Sequence, residues 1–185
     1  SRLPPLSPSI PHPPSLPAPV SAVEVEAAIS EYRQLVLRFE LRGDIDLVTV
    51  PPPGRYAERR DGLWQTTCFE AFVRGADDRY VELNLSPSTA WAAYTFESYR
   101  GKPGLPALDA PPIDVEREAD VLRVTAAIDL SGIDLLDGHK VWMLNLTAVV
   151  EETDGTKSYW ALRHPSEKPD FHHPDCFVLE LPAQD

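Results

Sequence analysis

The chain has 185 residues, of which 43% are hydrophobic, so it is long enough to enclose one sizeable core. Its formal net charge of −12 at pH 7 argues against nucleic acid and anionic membrane surfaces as partners, because both select a basic face. No apolar run reaches the length of a membrane span, and no basic segment followed by an apolar one marks a signal peptide, so a cytoplasmic protein is expected. A neutral ligand, a cation or a protein partner remains compatible with this composition.

Residues 1–19 read SRLPPLSPSIPHPPSLPAP and are expected to form an extended Pro-rich arm. No basic residue flanks a PxxP motif with the orientation typical of SH3 ligands, so a packed or disordered arm is favoured over a docking motif. A protein partner bound through the arm remains an alternative. Residues 20–185 are predicted to form one domain.

Alternating apolar and polar residues predict short strands throughout this domain. The predicted strands are 20–28, 34–42, 45–50, 63–73, 79–85, 91–99, 113–118, 122–128, 141–150, 157–162 and 177–181. One helical turn is expected within 129–138, capped by Ser131. Short strands at regular spacing with very little helix predict an all-β fold, an antiparallel β-sandwich of jelly-roll type.

The segment 63–100 concentrates aromatic and acidic residues. If 63–73 is one regular strand, Trp64 and Glu70 share a face, and Glu82 and Asn84 share a face on the following strand. An aromatic ring offers an apolar plane and a carboxylate accepts hydrogen bonds, which are the two contacts that a sugar ring needs. The simpler interpretation is that Trp64 packs at the start of the strand and Glu70 pairs with an arginine.

Glu70 and Glu82 also allow a second interpretation, as the paired carboxyl groups of a glycoside hydrolase. Cross-strand pairing of such acids with Arg or Asn is the commoner reason for their presence. Arg100 either donates to a ligand hydroxyl or pairs with one of these acids. Trp91 and Tyr94 lie on opposite faces of one strand, so one is expected in the core and the other near the site.

The loop 164–175 carries a cluster of histidines and aspartates. Its members are His164, Asp170, His172, His173 and Asp175. The spacing lacks the pattern of a zinc site, so solvated or capping histidines are expected, with a metal-dependent enzyme as an alternative. Cys68 and Cys176 show no CxxC spacing and are expected to be buried thiols. No phosphate loop, dinucleotide turn or nucleophile elbow is present, and no cofactor is predicted.

Three segments, LWQTTCFEAF, YVELNLSPSTAWAAYTFESYR and YWALRHPSEKPDFHHPDCFVLEL, carry a family resemblance that extends over residues 20–181. They resemble the DOMON-like superfamily, and more closely its branch related to the family 9 carbohydrate-binding modules. The resemblance implies a β-sandwich that clamps a saccharide between two Trp rings. By position, Trp64 and Trp160 are similar to these two rings and Glu70 to the acid that follows the first, with Asn84 and Arg100 as further polar contacts.

Related DOMON domains bind haem through Met and His or Lys, and some family 9 modules hold calcium. Met143, the one methionine, lies among apolar neighbours, and no DxDxDG-like run is present, so neither group is expected here. The primary hypothesis is a non-catalytic sandwich that binds a small saccharide-like ligand between Trp64 and Trp160. The alternatives are an enzyme acting on a saccharide, through a metal or a carboxylate, and a partner-binding sandwich.

Overall fold

Two antiparallel β-sheets pack face to face in a computed structural model, which describes residues 6–8 and 18–183. The strands are β1 (Ser7–Pro8), β2 (Val20–Ser30), β3 (Gln34–Gly43), β4 (Cys68–Arg74), β5 (Tyr80–Leu85), β6 (Trp91–Phe96), β7 (Ile113–Arg117), β8 (Val121–Asp129), β9 (Val141–Glu151), β10 (Lys157–Ala161) and β11 (Leu179–Pro182). The larger sheet has the order β1-β10-β9-β4-β5-β6, with β11 paired to the first half of β9. The smaller sheet has the order β2-β3-β8-β7.

The core lies between the two sheets and is built from the inward-facing residue of each alternating pair. Phe39 of β3 and Phe69 of β4 are fully buried, and their ring centroids lie 5.0 Å apart, so this contact joins the smaller sheet to the larger one. Val81, Leu83 and Leu85 of β5 enter the same core, as their alternation predicts. The predicted antiparallel β-sandwich is therefore confirmed.

The predicted strand 45–50 is wrong as a whole and the predicted strand 63–73 is wrong at its start, because the chain forms a short 3₁₀ turn in each segment. Ile45–Leu47 is a 3₁₀ turn that buries Ile45. The next residue, Val48, pairs with Glu152 in an isolated β-bridge. Leu63–Gln65 is a second 3₁₀ turn, because Gly62 adopts a left-handed conformation at φ +76° that redirects the backbone. The strand that carries Glu70 consequently begins at Cys68, after Trp64.

The predicted helical turn within 129–138 is present as the 3₁₀ turn Asp134–Leu136, but the predicted cap is wrong. The residue before this turn is Ile133, and no side chain caps it. Ser131 instead donates its hydroxyl to the Asp129 carboxylate at 2.6 Å. Ser and Asp side chains commonly form such hydrogen bonds to groups close to them in the chain. The other 3₁₀ turns in the described part are Glu31–Arg33 and Pro174–Cys176.

Five residues of the Pro-rich arm are described, 6–8 and 18–19, and residues 6–8 lie against the sandwich. Leu6 is buried and donates its backbone N–H to the Val23 carbonyl at 2.8 Å. Ser7 and Pro8 form β1 and pair with Ala161 and Trp160 of β10. Residues 1–5 and 9–17 lie outside the described residues, so the predicted role of the arm in partner binding stays a prediction.

Cys68 and Cys176 are free and buried, which confirms the expectation for both thiols. In the described ranges, no helix has the length and apolar character needed to cross a membrane. The chain's structural stability thus rests on the core between the sheets rather than on a disulfide.

We expect Phe69→Ala to lower the free energy of unfolding by about 3–5 kcal/mol, because it removes the ring that joins the two sheets and leaves a cavity. Tyr32→Ala is the matched control, since the Tyr32 side chain is 77% exposed on the β2–β3 connection. Urea unfolding monitored by circular dichroism measures both. Equal stability losses in the two variants would contradict the assignment of Phe69 to the core.

Candidate functional site

A cleft of about 650 Å³ lies on the outer face of the larger sheet, the face turned away from the smaller sheet. Its lining combines several aromatic rings with two acidic side chains. The lining residues are Trp64, Glu70, Phe72, Glu82, Tyr94, Phe96, Arg100, Pro103, Val149, Tyr159, Lys168, Pro169, Phe171 and His172. A concave, mostly apolar site with a few convergent polar groups is typical of small-molecule binding.

The floor of the cleft is set by the register of four neighbouring strands. Two adjacent cross-strand rows are Thr147–Glu70–Asn84 and Phe72–Glu82–Tyr94. Glu70 and Glu82 are therefore diagonal neighbours on β4 and β5, within reach of each other's electrostatic field. Both carboxyl groups are almost fully buried, at 3% and 6% exposure.

The segment 162–178, here called the C-terminal loop, covers part of this outer face and forms one wall of the cleft. Phe171 and Phe177 of the loop pack edge-on against Phe72, with ring centroids 6.4 and 6.2 Å away. The Asn145 amide of β9 donates to the Phe171 carbonyl at 3.0 Å and fixes the loop to the sheet. The outer face is consequently a second apolar cluster rather than a solvated surface.

His172, at the centre of this loop, bridges two side chains of β5. Its Nδ1 lies 2.7 Å from the Tyr80 hydroxyl and its Nε2 lies 3.3 Å from Oε1 of Glu82. The Tyr80 oxygen also accepts the backbone N–H of Arg100 at 3.2 Å, so His172, Tyr80 and the Arg100 backbone form one hydrogen-bonded chain. The expectation of a solvated or capping histidine is wrong for His172, although His173 does cap the turn by accepting the Asp175 N–H.

Burial dominates the acid–base properties of the site. It raises the pKa of Glu70 well above its usual value, with a further rise from the nearby Glu82 charge and an opposing hydrogen bond from Thr147 at 3.3 Å. Burial raises the pKa of Glu82 to about 7, against the opposing effect of the Arg100 charge. Burial and the Arg100 charge lower the pKa of His172 to about 4. The histidine is therefore neutral at pH 7, whereas Glu82 is close to half protonated.

Arg100 lies at the rim of the cleft and ties two loops together. Its Nη2 and Nε donate to Oδ1 of Asp170 at 2.8 and 3.2 Å, and the Tyr99 hydroxyl donates to the other oxygen of the same carboxylate. Burial alone would raise the pKa of Asp170, but these hydrogen bonds hold it below its usual value. Arg100 thus reaches the predicted site while its charge is already paired with Asp170.

Trp64 lines the cleft from the 3₁₀ turn before β4, with 53% of its surface exposed. Trp160 does not line it. Trp160 pairs with Ala148, which in turn pairs with Phe69, and all three belong to the core between the sheets. The predicted stacking of a ligand between Trp64 and Trp160 is wrong, because strand alternation turns Trp160 inward and places its neighbour Tyr159 at the cleft.

Asn84 lies next to Glu70 on the outer face but does not line the cleft. Its side chain is fully buried, and within the described part of the chain neither amide atom makes a hydrogen bond. The aromatic pair on β6 separates as predicted: Trp91 is in the core and Tyr94 lines the cleft, donating its hydroxyl to Asp61 at 2.6 Å.

Sequence reasoning missed Tyr159 and His172 as lining residues. Tyr159 is the neighbour of Trp160 in sequence. Strict alternation along 157–161 would have placed the two rings on opposite faces of the strand. For His172 no local pattern exists, since its position depends on the path of the C-terminal loop. In the part of the chain that the structure describes, no three His, Cys, Asp or Glu side chains are grouped so as to hold a metal ion.

The shifted pKa of Glu82 makes the stability of the protein depend on pH. In the folded protein Glu82 has a pKa of about 7, whereas the usual pKa of a glutamate is 4.5. Between these two pH values the folded protein binds the proton more strongly than the unfolded chain does, so the contribution of Glu82 to stability falls as the pH rises from 4.5 to about 7. We expect the difference in unfolding free energy between Glu82→Gln and the wild type to move in favour of the variant by about 3 kcal/mol across the window.

Urea unfolding of both proteins at a series of pH values tests this expectation. The lowered pKa of His172 acts with the opposite sign below its usual value of 6.5, but the wild type and the variant share it, so comparing them removes most of its effect. A difference between the two proteins that stays constant with pH would contradict the raised pKa of Glu82.

No family model and no curated protein matches the chain. Solved structures do share its fold. A candidate carbohydrate-binding protein from Bacteroides uniformis has a TM-score of 0.70 and 15% identity, over 96% of this chain and 84% of that one. A family 9 carbohydrate-binding module from Caldicellulosiruptor kristjanssonii in complex with glucose has a TM-score of 0.52 and 10% identity, over 91% and 78%. A family 9 carbohydrate-binding module from the same organism in complex with cellotriose has a TM-score of 0.53 and 9% identity, over 97% of this chain and 83% of that one. At such identities the likeness establishes the β-sandwich fold.

Proposed function

We propose that this protein binds a carbohydrate or sugar-like small molecule, without transforming it, in the cleft on the outer face of the larger sheet. The single observation that carries the proposal is the lining of the cleft, in which aromatic rings stand beside buried carboxyl groups. Trp64 and Tyr159 supply planes for the C–H faces of a sugar ring. Glu70 and Glu82 supply hydrogen-bonding groups for its hydroxyls.

The dimensions and rigidity of the site support this proposal. A cleft of about 650 Å³ is within the range of small-ligand sites. Glu70 and Glu82 project from paired strands, and the C-terminal loop is held by the Arg100–Asp170 ion pair at 2.8 Å. Polar groups on a fixed framework lose little conformational entropy when a ligand binds, which favours specificity for one arrangement of hydroxyls.

The solved structures that share the fold support the same proposal. Two of them are family 9 carbohydrate-binding modules in complex with glucose and with cellotriose. Together with the sequence resemblance, they favour a relation to these modules, and we propose the DOMON-like superfamily as the wider group. The departure is that Trp160 is in the core here, so Trp64 would share the ligand with Tyr159 or Tyr94 rather than with a second Trp.

We expect glucose, cellobiose or cellotriose to change the tryptophan fluorescence of the wild type, and Trp64→Ala to abolish this response and weaken binding about tenfold or more. Trp64 is the reporter because it is 53% exposed, whereas Trp91, Trp142 and Trp160 are buried. Fluorescence titration and isothermal calorimetry measure the two effects.

Tyr32→Ala is the matched control, since it removes an exposed aromatic ring from the connection between β2 and β3 of the smaller sheet, which does not line the cleft. It should bind as the wild type does. Saccharide affinity that is unaffected by Trp64→Ala, or the absence of binding across the panel, would refute the proposed site or the proposed function respectively.

A carboxylate-dependent enzyme is the second candidate, and the diagonal pair of Glu70 and Glu82 is the observation that favours it. Glycoside hydrolysis requires one protonated and one ionised carboxyl group, and two interacting buried acids with raised pKa values can supply that combination. Under the binding proposal, prolonged incubation with cellotriose should leave it intact by mass spectrometry. Release of glucose that disappears in Glu82→Gln would establish the enzyme instead.

A further inference from the structure

The cleft holds more buried acid than the described residues neutralise. Glu70 accepts a hydrogen bond from the Thr147 hydroxyl, and Glu82 contacts the neutral His172. Among residues 6–8 and 18–183, no Lys or Arg side chain forms an ion pair with either carboxyl group; the ion pair of Arg100 is made with Asp170. Buried carboxyl groups without a paired cation are costly when ionised, and a ligand can supply the missing charge.

The remaining groups around the two acids do not supply this charge. Glu70 faces the Cys68 thiol along its own strand and the Asn84 amide across from it. Glu82 faces Tyr94 across from it on β6, whose hydroxyl is directed to Asp61. All of these groups are neutral or acidic.

Two basic side chains line the cleft, Arg100 and Lys168. The Arg100 guanidinium is engaged by Asp170, and its charge lowers the pKa of Glu82 without cancelling the effect of burial. Lys168 belongs to the C-terminal loop and is exposed there. The floor of the cleft therefore presents acids, whereas its cations lie on the surrounding loops.

Aromatic rings surround these acids and add a second feature that suits a cation. Trp64, Phe72, Tyr94, Tyr159 and Phe171 all line the same cleft. The faces of such rings attract ammonium groups, and rings combined with carboxylates are a common arrangement for recognising organic cations. A metal ion fits less well, because no group of three His, Cys, Asp or Glu side chains stands together within the described ranges.

We propose that the ligand of this cleft is an amino sugar, whose ammonium group pairs with Glu70 and Glu82 while its ring stacks on the aromatic wall. This inference rests on the proposed function and narrows its ligand class. Charge-assisted hydrogen bonds are about twice as strong as neutral ones, so an ammonium group distinguishes the ligand from a neutral sugar of the same shape.

The comparison of three sugars tests the inference: glucose, glucosamine and N-acetylglucosamine share one ring, and glucosamine alone among them carries an ammonium group. Isothermal calorimetry at about pH 6 should show glucosamine binding about tenfold more tightly than glucose, with N-acetylglucosamine showing no such gain. Binding at this pH should also release protons, because the ammonium group favours the ionised form of Glu82, whose pKa burial raises to about 7 in the empty cleft. Titrations in two buffers of different ionisation enthalpy measure this release on the wild type.

Glu70→Gln and Glu82→Gln retain the size of each side chain and remove its charge. Each should reduce the preference for glucosamine over glucose about tenfold, toward equal affinities, whereas Tyr32→Ala should retain the wild-type preference. Proton release in the wild type remains a test if a Gln variant fails to fold.

Glucosamine binding no more tightly than glucose, or binding without proton release, would overturn the inference while leaving the proposed function intact. If none of the three sugars binds, the proposed function fails first, and this inference fails with it. The two failures are therefore distinguishable: the first leaves glucose bound at least as tightly as glucosamine, whereas the second leaves none of the three sugars bound.

Discussion

The packing of the C-terminal loop on the outer face of the larger sheet is the interaction on which the site depends. In a two-sheet sandwich this face would ordinarily be solvated. Here Phe171 and Phe177 pack against Phe72, and Asn145 anchors the loop through the Phe171 carbonyl. This packing makes the centre of the face apolar and leaves an open cleft beside it, which a bare sheet would not provide.

The electrostatic character of the cleft follows from that packing. Because the loop and the neighbouring strands exclude water, burial raises the pKa of both Glu70 and Glu82 and keeps His172 neutral. The loop also brings Asp170 to Arg100. The Arg100 guanidinium is therefore paired with Asp170 at the rim of the cleft rather than with Glu70 or Glu82 on its floor. One structural element therefore both forms a wall of the cleft and contributes to the burial that shifts the pKa values of its side chains.

Much of the fold could be predicted from alternation, since the strands of the core have a strict period of two. The pattern in 79–85 and 141–150 placed inward and outward residues correctly. It failed at 63–67, where Gly62 turns the backbone before the strand begins. The likeness of Trp160 to a ligand-stacking Trp also misled, because Trp160 faces inward on β10. The direction in which Trp160 points depends on the pairing of β10 with β9 and on the position of the smaller sheet. Neither can be read from the residues next to Trp160 in the sequence.

By itself, the sequence determined the class of fold and the common outer face of Glu70 and Glu82, because these depend on side-chain alternation. Only the tertiary structure decided which rings accompany them. Tyr159 and His172 arrive from distant segments, through strand pairing and through the path of the C-terminal loop. The protonation of the two acids was likewise decided by burial, which no local pattern records.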